Sequence, residues 1–271
     1  MFEPLFEPRE STVVKTPRRH NILFPVISFG PSIHRTLDHQ TIPPQPIMTF
    51  RVTFRVIVAL LVVCVWLIQQ AAGFNFDQLQ QTAAKRFGPQ AANAMRDWQA
   101  ALNDSKSLSE MEKLRFINAY VNGRVAFVDD QTAWGVEDYW ATPLESLGRG
   151  VGDCEDYVIA KYFSLKYLGV PVPKLRLTYA RARIGGPAST ITQAHMVLAY
   201  YSSPEAEPLI LDNLISEIRP ASRRSDLAPV FSFNTEGVWM TGGQPPPAGG
   251  SSGLTRWQDL LTRMKSEGFD L

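Results

Sequence analysis

Gly150-Val151-Gly152-Asp153-Cys154-Glu155-Asp156 places one thiol at the expected first turn of a helix, with carboxylates on both sides. From there Val158, Ile159, Tyr162, Phe163 and Leu165 recur at helical spacing, and Gly169 followed by Pro171 stops the pattern. Asp153 is the expected N-cap, and Asp156, three residues on, completes a capping-box arrangement. Unpaired N–H groups at a helix start favour the thiolate, which is the nucleophilic form of cysteine. An arbitrary lone cysteine is better read as buried and inert, but the helix-start position reverses that expectation for Cys154.

Downstream the texture changes to short alternating runs: Leu175, Leu177 and Tyr179, then His195 to Tyr201, Leu209 to Leu214, and Val230 to Phe233. These read as strands, and the turn-rich stretch Ser202 to Pro208 makes the middle pair an antiparallel hairpin. Upstream, Asp77 to about Val121 is helical. Gly88-Pro89 ends one helix and opens the next, and Ser109 with Glu112 forms a capping box ahead of Leu114, Ile117 and Val121. The expected fold class is α+β, with N-terminal helices and the Cys154 helix packed on an antiparallel sheet.

The chain has 271 residues and a formal net charge of +1, enough for one ordinary domain with appendages and no sign of a nucleic-acid partner. Residues 1–47 are proline-rich and lack periodicity, so they are expected to be a disordered or non-native extension, with Met48 as the true start. A cytoplasmic tail on an uncleaved anchor is the alternative. Arg51 and Arg55, the apolar run Val56 to Ile68, and Ala71-Ala72-Gly73 read as the n-region, h-region and cleavage site of a signal peptide over 48–73. That run is shorter than the roughly 20 residues a membrane span needs. The main domain is expected over 74–241. Beyond it, 242–271 reads as a Gly/Pro/Ser linker and a short amphipathic helix, Leu254 to Gly268, to which no role is assigned.

Export would remove Cys64 and leave Cys154 without a disulfide partner, which makes it a candidate reactive group. A cysteine nucleophile needs a base, and the base needs a third group to orient it. His20, His34 and His39 all precede Met48, so His195 is the one histidine of the expected mature chain. A symmetric hairpin register places His195 opposite Asp212 to Ile215, within reach of Asp212. Taken alone, Asp212 is better read as a strand-ending turn residue, and Asn213 competes for the orienting role. The backbone N–H of Cys154 is the expected oxyanion donor. A second donor from Trp134 to Trp140 is weighed against those aromatics being core or cleft walls.

Trp140 to Leu147 (Trp-Ala-Thr-Pro-Leu-Glu-Ser-Leu), Gly150 to Lys161, Ala194 to Leu198 and Leu211-Asp212-Asn213 closely resemble the bacterial transglutaminase-like cysteine proteases of the LapG type. The resemblance covers roughly Phe74 to Trp239. It implies a papain-like, transglutaminase-like fold and a periplasmic endopeptidase that cuts a large surface adhesin near its N-terminus at a di-alanine site, dispersing biofilm. It also implies sequestration by a LapD-type inner-membrane receptor when cyclic di-GMP is high. Carried over position by position, Cys154 is the nucleophile, His195 the base and Asp212 its orienter.

The acidic flank admits two readings. Asp153, Glu155 and Asp156 can simply cap the helix and complement its dipole, and no ion-binding spacing speaks against that. The resemblance implies instead that they bind Ca²⁺, which would offset charge that otherwise disfavours the thiolate. Two other functions share these residues: a transglutaminase or arylamine acetyltransferase-like acyl transferase, and a non-catalytic calcium- or adhesin-binding module. The signal reading predicts that exported protein begins near Phe74 on N-terminal sequencing; a chain retaining Val56 to Ile68 would mean a membrane anchor.

Overall fold

The computed structural model describes residues 73–240 and 254–271. The proline-rich stretch, the signal-like run with Cys64 and the Gly/Pro/Ser linker lie outside the described residues. Among the described residues no helix is long and apolar enough to cross a membrane.

Helices α1 (Phe76–Phe87) and α2 (Pro89–Asp104) meet at Gly88, whose φ of +88° turns the chain before Pro89 opens the second helix. Helix α3 (Glu110–Arg124) starts at the expected Ser109–Glu112 capping box, and Leu114, Ile117 and Val121 are fully buried. Strand β1 (Ala126–Phe127) pairs in parallel with β2 (Val151–Gly152), bracketing two short helices, α4 (Asp130–Trp134) and α5 (Pro143–Arg149). That pairing brings Asp130 next to the residues that open α6 (Cys154–Tyr167). Helix α6 is buried on nearly every face, since it lies between α3 and the sheet.

The sheet contains β3 (Leu175–Arg183), β4 (Thr192–Tyr200), β5 (Leu209–Leu211), β6 (Arg219–Pro220), β7 (Leu227–Phe233) and β8 (Val238–Met240). All pairings are antiparallel in the order β6-β5-β4-β3-β7-β8, so the fold is α+β as the pattern implied. Several strand ends differ from the alternation, β3 running on to Arg183 and β7 starting at Leu227. Strand β4 begins at Thr192 because β3 continues to Arg183 and pairs with it. Strand β5 stops at Leu211, short of Leu214, because the Asp212 carboxylate accepts the N–H groups of Asn213 and Leu214 and turns the chain.

One local expectation fails. Asp153 occupies the N-cap position of α6 but makes no side-chain cap, and Asp156 accepts from the N–H of Ala141 at 2.7 Å instead. A tertiary donor has displaced the local capping box.

The C-terminal helix α7 (Thr255–Glu267) packs into the core. Trp257, Leu260 and Met264 are fully buried, and the Trp257 ring stacks on Phe163 of α6 at 5.8 Å. Arg263 donates to Glu145 at 2.8 Å and to the Trp140 carbonyl at 2.6 Å, while Arg86 bridges Glu145 and Glu267. Trp257→Ala is therefore expected to cost about 3–5 kcal/mol, the range for emptying a large aromatic site, in a denaturant titration. A loss below about 1 kcal/mol would show that the helix adds little to the fold.

Candidate active site

The sheet supplies a histidine and a carboxylate. His195 on β4 is 2 % exposed, and its Nε2 lies 2.8 Å from Oδ1 of Asp212, which follows the end of β5. The β4–β5 ladder ends at Leu198 opposite Leu211, so Asp212 leaves the ladder just where it can turn toward the imidazole. Asn122 on α3 donates to the Asp212 carbonyl at 2.8 Å and Arg224 to its Oδ2 at 2.7 Å, fixing both backbone and side chain. Burial acts to raise the Asp212 carboxyl, but the hydrogen bond and charge of His195, with Arg224, hold it down at about 2. Asn213, the competing orienter, instead lines the adjoining hollow.

Helix α6 supplies the thiol. Cys154 is half-buried at its first turn, near Met196 of β4, and its Sγ–H donates to Glu155 Oε2 at 2.9 Å. Two hollows meet there, and Asp153, Cys154, Ala194 and His195 line both. One, of about 380 Å³, is walled by Asp129, Asp130, Glu137, Asp138 and Glu155; the other, of about 510 Å³, is walled by Phe127, Tyr157 and Leu214. Phe127 is 61 % exposed and Leu214 46 %, an apolar rim opposite an acidic one. Burial, then the charges of Glu155 and Asp153, push the Cys154 thiol well above its ordinary range. As it stands, the helix start does not prevail over the carboxylates. Trp140 is buried and stacks on Phe233 at 5.7 Å, so it is core rather than an oxyanion donor.

The acidic residues form a compact cluster. One oxygen each from Asp130, Asp153 and Asp156 lie within 4.8 Å of one another, and so do oxygens of Asp130, Asp138 and Glu155. Asp130 Oδ1, Asp153 Oδ1 and Asp156 Oδ2 are buried without a hydrogen-bond partner. Leaving such oxygens unpaired costs free energy that a cation would recover. Burial and then the Asp153 charge raise Asp130 to about 7; burial and then Glu155 raise Asp153 to about 8. Burial, then Asp153 and Glu155, drive Asp156 well above the carboxylate range, and burial also raises Glu155. An all-oxygen carboxylate set with unpaired lone pairs fits a hard divalent cation. Close backbone packing completes it: a Cβ at Gly152 would lie 2.6 Å from Asp156 Oδ2 and 2.7 Å from its Cβ.

Asp153, Glu155 and Asp156, the ion ligands implied by the resemblance, all lie in this acidic cluster, which also takes in Asp130 and Asp138; neither these two nor Arg224 stands out in the sequence. Asp130 carries a faint signal, standing beside Asp129, which caps α4 and leaves its neighbour a different task. Asp138 adopts a positive φ of 55°, a strained turn conformation that the sequence does not announce.

A helix-start thiol and a sheet-borne imidazole line the same cleft, the pairing that thiol enzymes use. The chain belongs to the bacterial transglutaminase-like cysteine proteinases, whose family model matches residues 87–230. Among solved structures it is similar to Legionella pneumophila LapG at 38 % identity, covering 72 % of this chain and 99 % of that one, with a TM-score of 0.59. An EGTA-treated form of that protein matches at 37 % identity, 72 % and 100 % coverage and a TM-score of 0.61. A calcium-bound form matches at 37 %, 70 % and 98 %, and 0.59. Comparison with curated proteins gives no match.

The raised carboxyls predict how stability depends on pH. A carboxyl whose pKa is higher in the folded than in the unfolded chain stabilises the fold below the unfolded value of about 4. That contribution is lost as pH rises through the folded values of about 7 and about 8 at Asp130 and Asp153. Metal-stripped protein should therefore melt lower at pH 8 than at pH 5, and a bound divalent cation should shrink the difference. Equal melting temperatures at both pH values without metal would contradict the charge cluster.

Proposed function

We propose that the chain is a calcium-dependent periplasmic cysteine endopeptidase that cuts the N-terminal region of a large surface adhesin at a di-alanine site, releasing it and promoting biofilm dispersal. The observation that carries the chemistry is the 2.8 Å His195–Asp212 pair in the cleft that holds Cys154. In this reading Cys154 is the nucleophile, His195 the base and Asp212 the group that fixes its tautomer. The Cys154 thiol gives its proton to His195, and the thiolate adds to the scissile carbonyl while the Cys154 N–H meets the developing oxyanion. The imidazolium then protonates the leaving amine, the C–N bond breaks, and water, deprotonated by His195, hydrolyses the thioester.

Asp153, Glu155 and Asp156, with Asp130 and Asp138, would hold Ca²⁺, whose charge would cancel the repulsion that now raises the thiol. The calcium-bound and EGTA-treated forms of the Legionella protein support this choice of ion. The motif resemblance supports the adhesin substrate and the LapD-type cyclic di-GMP receptor as the sequestering partner. The signal-like run supports export to the periplasm.

Purified protein incubated with an adhesin N-terminal fragment should cut it in Ca²⁺ and stop in chelator, with Mg²⁺ a poor substitute. Cys154→Ala and His195→Ala should abolish cleavage, and Asp212→Asn should leave a trace, roughly 10⁴-fold slower. Turnover by Cys154→Ala would refute the protease reading. Amine incorporation in place of cleavage would make the chain an acyl transferase, and complex formation alone would make it a binding module.

A further inference from the structure

Asp212 has a second charged partner that the three-residue mechanism leaves unused. Arg224, just after the 3₁₀ turn Ala221–Arg223, is 2 % exposed and donates to Asp212 Oδ2 at 2.7 Å. The same nitrogen, Nη2, also donates to Asp226 Oδ2 at 2.7 Å, and Nε donates to Asp226 Oδ1 at 3.0 Å, while Nη1 is buried without a hydrogen-bond partner. Asp212 Oδ1 is meanwhile occupied by His195 and the N–H groups of Asn213 and Leu214. Both carboxylate oxygens therefore have fixed donors, and rotating the group would break charge-assisted bonds.

Charge makes the same case. A buried carboxylate needs a compensating cation, and a neutral imidazole does not supply one. Lys161, fully buried, has no hydrogen-bond partner at its Nζ, so it lends Asp212 field without geometry. Arg224 lends both.

Resting on the endopeptidase reading, we propose that Arg224 is a positioning residue for His195, acting through Asp212. The working unit is then a line of side chains running from Cys154 through His195, Asp212 and Arg224 to Asp226. Asp226 clamps the guanidinium so that its NH2 stays aimed at Asp212.

The test is the rate at which iodoacetamide alkylates Cys154 in the full chain with Ca²⁺ at neutral pH, located by peptide mapping. Arg224→Gln should slow it on the order of tenfold, and should add nothing on an Asp212→Asn background, as coupled residues do. Arg224→Lys should restore part of the rate. In cleavage of the adhesin fragment, kcat should fall while KM holds. A wild-type alkylation rate in Arg224→Gln, or a loss that adds fully to that of Asp212→Asn, would overturn the proposal. Should Arg224→Gln fail to fold by circular dichroism, Asp226→Asn takes its place in the same cycle, with a smaller loss expected that vanishes beside Asp212→Asn. Wild-type protein that alkylates and cycles as expected yet cuts no fragment would defeat the endopeptidase reading alone.

Discussion

The negative charge packed around Cys154 is the constraint on which the proposed chemistry depends, because left unneutralised it holds the thiol protonated. At a few ångströms and reduced dielectric, each carboxylate opposes the thiolate by an amount on the order of kcal/mol, more than a helix terminus supplies. Asp153, Glu155 and Asp156 arrive with the helix that presents the thiol, so the repulsion cannot be removed without moving the nucleophile. Asp130 is added through the β1–β2 pairing. The arrangement makes physical sense as a site that is incomplete without a cation.

The neighbouring elements hold this cluster in place. Asp156 ties α6 to the segment leading into α5 through the Ala141 N–H, while Trp140 beside it stacks on Phe233 of β7. Arg263 of α7 binds the Trp140 carbonyl, and Arg256 of the same helix pairs with Asp138 at 2.8 Å. The C-terminal helix thus reaches the acidic wall of the cleft from behind. On the other side, the sheet holds His195 through Asp212 and Arg224, independently of the acidic cluster. The proposed nucleophile and base thus come from separate elements, α6 and β4, that both line the cleft.

What the sequence could reveal follows the range of each interaction. The Gly88-Pro89 break, the Ser109 capping box and the start of α6 depend on residues within one turn of each other, and all appear as read. The hairpin register was legible because strand pairing through a short loop leaves few choices. The Asp153–Asp156 capping box was also local but wrong, because Ala141, distant in sequence, offers Asp156 a better-placed donor. Asp138, Arg224 and the packing of α7 depend on contacts between remote segments, which periodicity and spacing do not encode. In the site, the His195–Asp212 pair was legible through the hairpin register, whereas Asp130, Asp138 and Arg224 were not.

In the proposed enzyme, a divalent cation in the carboxylate cluster would set the ionisation of Cys154. The ultraviolet thiolate absorbance at neutral pH, taken as the difference between wild type and Cys154→Ser, reads that ionisation directly. The thiolate band should be present with Ca²⁺ and absent in chelator, returning when Ca²⁺ is restored. A band of equal strength in both conditions would contradict the claim and leave Asp130, Asp153, Glu155 and Asp156 as structural residues.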